Sequence, residues 1–248
     1  MHLPDPTFPP LLTGHDVKSP VHAFEHALDG AREGTFGAGD LVWSRNTQRL
    51  ECAIVLEPEV SRRRSMEILH VGMVAFADAF GALAPPEVGV LYRWPNRLRI
   101  NAGEIGRMRL AMSECADAEG VPDWLVLDLG VQMHPAKMMD DPGINMEFTN
   151  LVEEGCAGIT RSELIESYSR HLLTWIHSWS VDGFRGVHDA WLDRAEDKER
   201  EVTIQYDGET LGGTFMGLDE SGNLLLRDGD NTRLLSVDKA FGSDQAVS

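Results

Sequence analysis

The sequence predicts an α+β fold, with a mixed or antiparallel sheet flanked by helices and a small C-terminal SH3-like β-barrel behind it. Three observations lead there. Three strand-like runs succeed one another between Val88 and Met112 with no helical pattern between them, which reads as a β-meander. Helical periodicity precedes and follows those runs instead of alternating with them. Beyond a charged stretch, residues 193–201, four short strand patterns crowd into residues 202–236, separated by Asp-Gly and Ser-Gly turns.

Met1 to Pro20 holds five of the twelve prolines, Pro4, Pro6, Pro9, Pro10 and Pro20. Proline fixes φ and removes a backbone donor, so residues 1–20 are expected to be an extended arm along the main domain. Val21 to Glu33 reads as a short helix, broken by Gly34, Gly37 and Gly39 before a strand at Leu41-Val42-Trp43. Leu50 to Leu56 has the apolar, β-branched density of a buried strand. Ser61 to Leu83 places Met66, Leu69, Met73, Val74, Ala77 and Phe80 on one face of a long helix. The meander follows as Val88–Arg93, Arg97–Asn101 and Ile105–Met112, with a turn at 101–103. Asp123 to Val131 adds a fourth apolar strand. Residues 135–156 read as an irregular segment, with Met138, Met139 and Met146 expected to fold back over the sheet. Thr160 with Glu163 three positions on is a capping box, and the helix it opens carries Leu164, Tyr168, Leu172, Trp175 and Trp179 on one face. A second short helix is expected over 187–195. The charged run then divides a domain of residues 1–198 from a small barrel of 199–248.

Composition narrows the function. Forty acidic residues against 22 Lys and Arg give a net charge of -18, the wrong sign for a protein that draws its affinity from neutralising phosphates, so no nucleic-acid partner is expected. No stretch approaches the ~18 consecutive apolar residues of a membrane span, and no membrane partner is expected. Three cysteines, Cys52, Cys115 and Cys156, lack CxxC spacing, which points to a reducing compartment. With no cationic and apolar leader at Met1–Pro10, a cytoplasmic location is expected. His171, His177 and His188 lack the i to i+4 spacing of a helical metal face, GxSxG is absent, and the glycines at 34, 37 and 39 form neither GxGxxG nor a P-loop. No metal site is expected. Cys115 is flanked by Glu114 and Asp117, a poor setting for a thiolate nucleophile.

The segment with the most chemistry is Tyr92-Arg93-Trp94-Pro95-Asn96-Arg97, followed by Glu104-Ile105-Gly106-Arg107-Met108-Arg109. A strand ends at a proline and another starts at once. Asn96 is a short two-sided hydrogen bonder, Trp94 an apolar wall and Arg93 a fixed cation, a set suited to a ligand with an apolar tail and an anionic head. An equal reading makes Trp94 core and Asn96 a turn cap.

These residues resemble the biotin and lipoate protein ligase family, whose members carry Lys-Trp-Pro-Asn-Asp, a hairpin and then Lys-x-Gly-Gly-Ile-Leu. Gly39-Asp40-Leu41-Val42-Trp43-Ser44 is similar to the strand after the family's arginine- and glycine-rich loop, residues 179–191 to its closing helices, and residues 217–224 to its small C-terminal domain. The likeness covers the chain from about residue 21. It implies a ligase-like fold, activation of biotin or lipoate with ATP and Mg as an acyl-adenylate, and transfer to a lysine of a biotinyl or lipoyl carrier domain. It also implies that Trp43, Ser44, Arg45, Arg93, Trp94, Asn96, Arg97, Gly106 and Arg107 line the ligand site.

Three positions depart from the family pattern. Glu104 stands where the family lysine meets the reacting carboxyl and phosphate. Arg97 stands at the Asp that supports Mg, and Arg107 at the second Gly of the hairpin motif. A unit-charge pair about 4 Å apart is worth roughly 4 kcal/mol at an effective dielectric of about 20, so reversing the charge at position 104 bears directly on adenylation. No arginine lies between Gly34 and Trp43, though Arg45 and Arg49 follow. Two readings stand at this point. Arg93, Arg97, Arg107 and Arg109 replace the missing cation, or a salt-bridge network fills a site that has lost adenylation and the protein binds a small acid, a nucleotide or a carrier protein.

Overall fold

The structure, a computed structural model, describes residues 4–101, 103–135 and 147–244. Met138, Met139 and Met146 lie outside the described residues. The elements run β1 (Thr13–Val17), α1 (Ala23–Glu33), β2 (Asp40–Ser44), β3 (Arg49–Leu56), α2 (Arg62–Ser65), α3 (Ile68–Gly81), β4 (Val90–Arg93), β5 (Arg97–Ile100), β6 (Gly103–Met112), β7 (Leu125–Gln132), α4 (Arg161–Asp182) and α5 (Arg185–Leu192). After them come β8 (Glu201–Tyr206), β9 (Glu209–Leu218), β10 (Leu224–Asp228), β11 (Asn231–Leu235) and α6 (Val237–Asp244).

The first seven strands form one sheet in the order β1-β2-β3-β7-β6-β5-β4, and the last four a small antiparallel sheet in the order β11-β10-β9-β8. Among the ladders between described strands, β1 with β2 is the parallel one, which makes the large sheet mixed. The β4-β5-β6-β7 meander is the one expected, and its tight turn is set by Asn101 at a φ of 52°. This is the predicted α+β architecture.

Side-chain alternation sorts the sheet into two faces. Leu50, Cys52 and Ile54 of β3, with Leu125, Leu127, Leu129 and Val131 of β7, join the large core under α3 and α4. Helix α3 is apolar on all sides and is buried accordingly; at Gly72 an added Cβ would stand 2.8 Å from Leu127 Cδ2 and from Met108 Sδ. The opposite face carries Val42, Ala53, Val55 and Val126 against α1. Helix α1 packs chiefly on β2, β3 and β7, so on this face Arg93, Arg97 and Arg107 of β4, β5 and β6 lie beyond it, while Arg109 of β6 reaches it.

The small sheet docks on the large domain through aromatic and turn contacts. Trp191 meets Phe215 edge-on at 6.4 Å, Trp94 donates its indole N–H to the Gly222 carbonyl at 3.2 Å, and Gly222 lies against the buried His70 ring. Burial in this interface pushes the His70 imidazole down to about 3, desolvation being the main cause and His188 adding to it.

Three elements differ from expectation. Within the extended proline-rich arm, Thr13–Val17 pairs with β2 as an edge strand, an element the sequence reading did not include. The helix read as continuous over 61–83 is two, since i to i+3 bonds at Glu67, Leu69 and His70 tighten the turn between α2 and α3. That turn lets Arg62 reach Asp238 at 2.6 Å and Arg63 reach Glu119 at 2.7 Å while Met66 enters the core. Helix α6 had a signal in Ser236, whose hydroxyl accepts the Lys239 N–H at 3.4 Å.

Candidate ligand site

The register brings three of the sequence-predicted residues together. Arg93 lies opposite Arg97, Arg97 opposite Arg107, and Arg107 opposite Gly130, which in turn faces Glu51. Three arginines thus stand in one row across β4, β5 and β6 on the face that α1 leaves uncovered. Like charges directly opposite destabilise a sheet, so the row needs carboxylates. Arg97 Nη1 donates to Glu104 Oε1 at 3.0 Å and Oε2 at 3.2 Å, and the Glu104 side chain is 10% exposed. Arg93 pairs with Asp197 at 3.0 Å and Glu196 at 3.4 Å, while Arg99 pairs with Glu196 at 2.6 Å.

Two residues further along β6, the same pattern holds. Arg109 Nε donates to Asp128 at 2.8 Å, its guanidinium lies 4.2 Å above the Phe24 ring, and it reaches Glu25 at 3.6 Å, so it ties α1 to the sheet. Burial raises the Asp128 carboxyl above the usual range, with Arg109 opposing the shift. The Arg49 guanidinium covers Gly130, where an added Cβ would come within 2.5 Å of Nη2, and it lies 3.8 Å from Glu51. Gly106 is required by packing: a Cβ there would be 2.0 Å from the Gly130 carbonyl oxygen.

Trp94 and Asn96 hold the turn that opens this row. Asn96 is buried, and its amide donates to the Met108 carbonyl at 2.8 Å while its own carbonyl accepts the Met108 N–H at 3.0 Å. Asn96 thus fixes β5 to β6 and Trp94 docks the small sheet, while the Asn96 Oδ1 is buried with no hydrogen-bond partner among the described residues. Trp43, Ser44 and Arg45 gather elsewhere. Trp43 points into the core on the α4 side, between the guanidinium groups of Arg45 at 4.9 Å and Arg161 at 5.0 Å. Arg45 makes a two-pronged pair with Asp5 at 2.6 and 2.7 Å and bonds Asp16 at 2.5 Å, which raises its already high pKa, and Ser44 accepts the Asn46 N–H at 3.2 Å.

The glycine loop before β2 is closed on itself. Gly34 donates to Ala31, Thr35 and Phe36 to Gly30, Gly39 to Val55 and Asp40 to Gly37, all through backbone carbonyls. Gly37 donates to the Asp40 carboxylate at 2.8 Å and Ala38 to the Glu57 carboxylate at 3.3 Å. Every N–H from Gly34 to Asp40 already has an acceptor. Phosphate cradles work by offering such donors, together with cations, to the ligand. With these donors taken by the chain's own carbonyls and carboxylates, and with Glu104 where the resemblance would put a lysine, the residues present do not fit a nucleoside triphosphate at that place.

Sequence reasoning missed Asp128, Glu196 and Asp197. Asp128 had a signal, a carboxylate inside the apolar run Leu125–Val131, which needs a buried partner. Glu196 and Asp197 sit in the run read as a solvated boundary, where nothing local marks them as partners of Arg93 and Arg99. Cys115 is half-buried, with its thiol 3.8 Å from the Ser113 carbonyl.

Comparisons with known proteins agree with this architecture. The family described as "Biotin/lipoate A/B protein ligase family" matches residues 8–193, and "Biotin protein ligase C terminal domain" matches residues 199–237. A biotin--[acetyl-CoA-carboxylase] ligase of Paracoccus denitrificans is 23% identical over 217 residues, covering 85% of this chain and 88% of its own. A crystal structure of a biotin protein ligase-like protein of unknown function from Silicibacter sp. TM1040 is 38% identical, covers 94% of this chain and 98% of its own, and superposes with a TM-score of 0.85. The biotin protein ligase of Aquifex aeolicus in complex with biotin and ATP shares the fold at a TM-score of 0.71 and 15% identity, over 90% of this chain and 95% of its own. The chain belongs to the biotin/lipoate A/B protein ligase family.

Proposed function

We propose that this chain is a binding member of its family, one that holds a small carboxylic acid or an acyl-carrier domain without forming an acyl-adenylate. The observation that carries the reading is the Arg97–Glu104 pair at 3.0 Å, a carboxylate held by the chain's own cation at the position of the family lysine. The saturated N–H groups of residues 34–40 support it independently. On this reading the acid's carboxylate joins the row of Arg93, Arg97 and Arg107 beside the carboxylates already there, and Trp94 and Asn96 hold the turn that shapes the site. Titration calorimetry with biotin, lipoate and octanoate, with and without MgATP, tests it. One acid is expected to bind equally with and without nucleotide, and a biotinyl or lipoyl carrier domain is expected to gain no mass when incubated with acid, MgATP and the protein. A mass increase on the carrier lysine would overturn the proposal.

One observation favours a second reading. Three arginines directly opposite one another across β4, β5 and β6 form a strong cationic row, and in an active ligase this row would stand in for the lysine. ATP with Mg and biotin or lipoate are then the required cofactors, and the acyl group passes to the carrier lysine.

A further inference from the structure

We propose that the cleft between the large domain and the small sheet receives an extended, basic polypeptide segment, which pairs as an added strand with the open edge of β8. This goes beyond the acid-binding reading and does not depend on it.

The cleft has a volume of about 590 Å³, within the usual range of ligand clefts. Its small-sheet wall includes five consecutive residues, Glu201 to Gln205. Neighbouring side chains of a strand point to opposite faces, so a strand lines a cleft with every residue only when it presents its edge. Strand β8 is indeed a terminal strand of the small sheet.

The phase of the ladder shows which backbone groups are on offer. Tyr206 pairs with Glu209 across the two-residue turn Asp207-Gly208, and the closing pair of such a hairpin is hydrogen-bonded. At the other end Phe215 donates to the Arg200 carbonyl at 2.9 Å, in the same phase. Arg200, Val202, Ile204 and Tyr206 therefore bond inward to β9, and the N–H and C=O groups of Glu201, Thr203 and Gln205 point outward. An edge rich in β-formers, Val202, Thr203 and Ile204, is a ready template for another strand.

The opposite wall gives the occupant its chemistry. Trp94, Pro95 and Phe148 offer apolar surface, and the Phe148 side chain belongs to a residue that is 48% exposed. The cleft's arginines are engaged, Arg93 with Asp197 and Arg97 with Glu104. Glu147 and Glu201 also line it; Glu201 accepts the Thr214 hydroxyl at 2.6 Å, and neither makes an ion pair among the described residues. A strand that alternates apolar and basic side chains matches this wall, its apolar side chains on Trp94 and Phe148 and its cations toward Glu147 and Glu201.

The test is fluorescence anisotropy of a labelled peptide, acetyl-Lys-Val-Lys-Val-Lys-Val-Lys-amide, titrated with the full chain. Saturable binding is expected, weakened about ten-fold when alternate peptide amides are N-methylated and about ten-fold when every Lys is replaced by Glu. Thr203→Pro removes an outward N–H and leaves the β9 ladder intact, and it is expected to weaken binding to the same degree. The N-methylated peptide keeps the test independent of that variant's folding. The proposal is overturned by an absence of saturable binding up to about 1 mM, by equal binding of the N-methylated or the Glu peptide, or by self-association of the chain through this edge in place of peptide binding.

Discussion

The Arg97–Glu104 pair yields the most direct stability prediction. Glu104→Gln and Arg97→Gln, made singly and together, form a double-mutant cycle that isolates the pair's coupling. Its size follows from its surroundings. A unit pair about 4 Å apart attracts by roughly 4 kcal/mol at an effective dielectric of about 20. Exposed pairs retain only about 0–1 kcal/mol of that, while breaking a buried pair costs about 3–5 kcal/mol. Here two contacts of 3.0 and 3.2 Å join a Glu104 side chain 10% exposed to an Arg97 side chain 28% exposed, which sets the pair between those limits. The expected coupling is about 2 kcal/mol, and Glu104→Gln alone is expected to lower Tm by about 4–8 °C. Urea unfolding of the four proteins reads both. Single effects that add within about 0.3 kcal/mol would refute the reasoning, because Glu104 would then not be held by Arg97.

Three further predictions follow from the same geometry. Burial raises the Glu67 carboxyl above its usual range, opposed by the Trp179 N–H at 2.6 Å and by Arg64. Its charged form therefore costs stability at neutral pH, and that cost is relieved as pH falls through the raised value. Glu67→Gln keeps an acceptor for Trp179, so the variant should have the higher Tm at pH 7 and converge with the natural protein toward pH 4; a variant less stable at pH 7 contradicts this. Gly222→Ala puts a Cβ 2.5 Å from His70 Cε1 at a φ of 82°. It should cost more than about 1 kcal/mol and speed tryptic cleavage at Lys198 or Arg200, and an unchanged cleavage rate would show that the turn does not hold the small sheet in place. Thr160→Ala removes the capping box of α4 and should cost about 1 kcal/mol in urea unfolding, against no change if the cap is idle.

Much of this molecule is legible where the signal is local. The Thr160–Glu163 cap, the apolar strands β3 and β7 and the turn at Asn101 follow from residues adjacent in sequence. The α2–α3 break was hidden because Met66 and Leu69 keep helical spacing through a tightened turn, while the N–H groups of Arg62 and Arg63 bond the distant Gly120 and Ala118 carbonyls. Strand β1 was hidden because an edge strand between prolines carries little apolar pattern, and β2 supplies its pairing. At the candidate site the arginines and Glu104 are readable as residue types, but their row across β4, β5 and β6 depends on register. The partners Asp197 and Asp128 come from 104 and 19 residues away, a separation that no local pattern encodes. Trp43, Ser44 and Arg45 show the converse: they align with a motif, while strand alternation turns Trp43 to the core, away from the arginine row.

Acid-dependent exchange between ATP and pyrophosphate tests the central claim most directly, with biotin, lipoate and octanoate supplied in turn to the natural protein and to Glu104→Lys. No exchange is predicted for either protein, because a lysine at position 104 leaves the N–H groups of residues 34–40 bonded to their own acceptors. Exchange by the natural protein with any one acid would contradict the account and identify an active ligase.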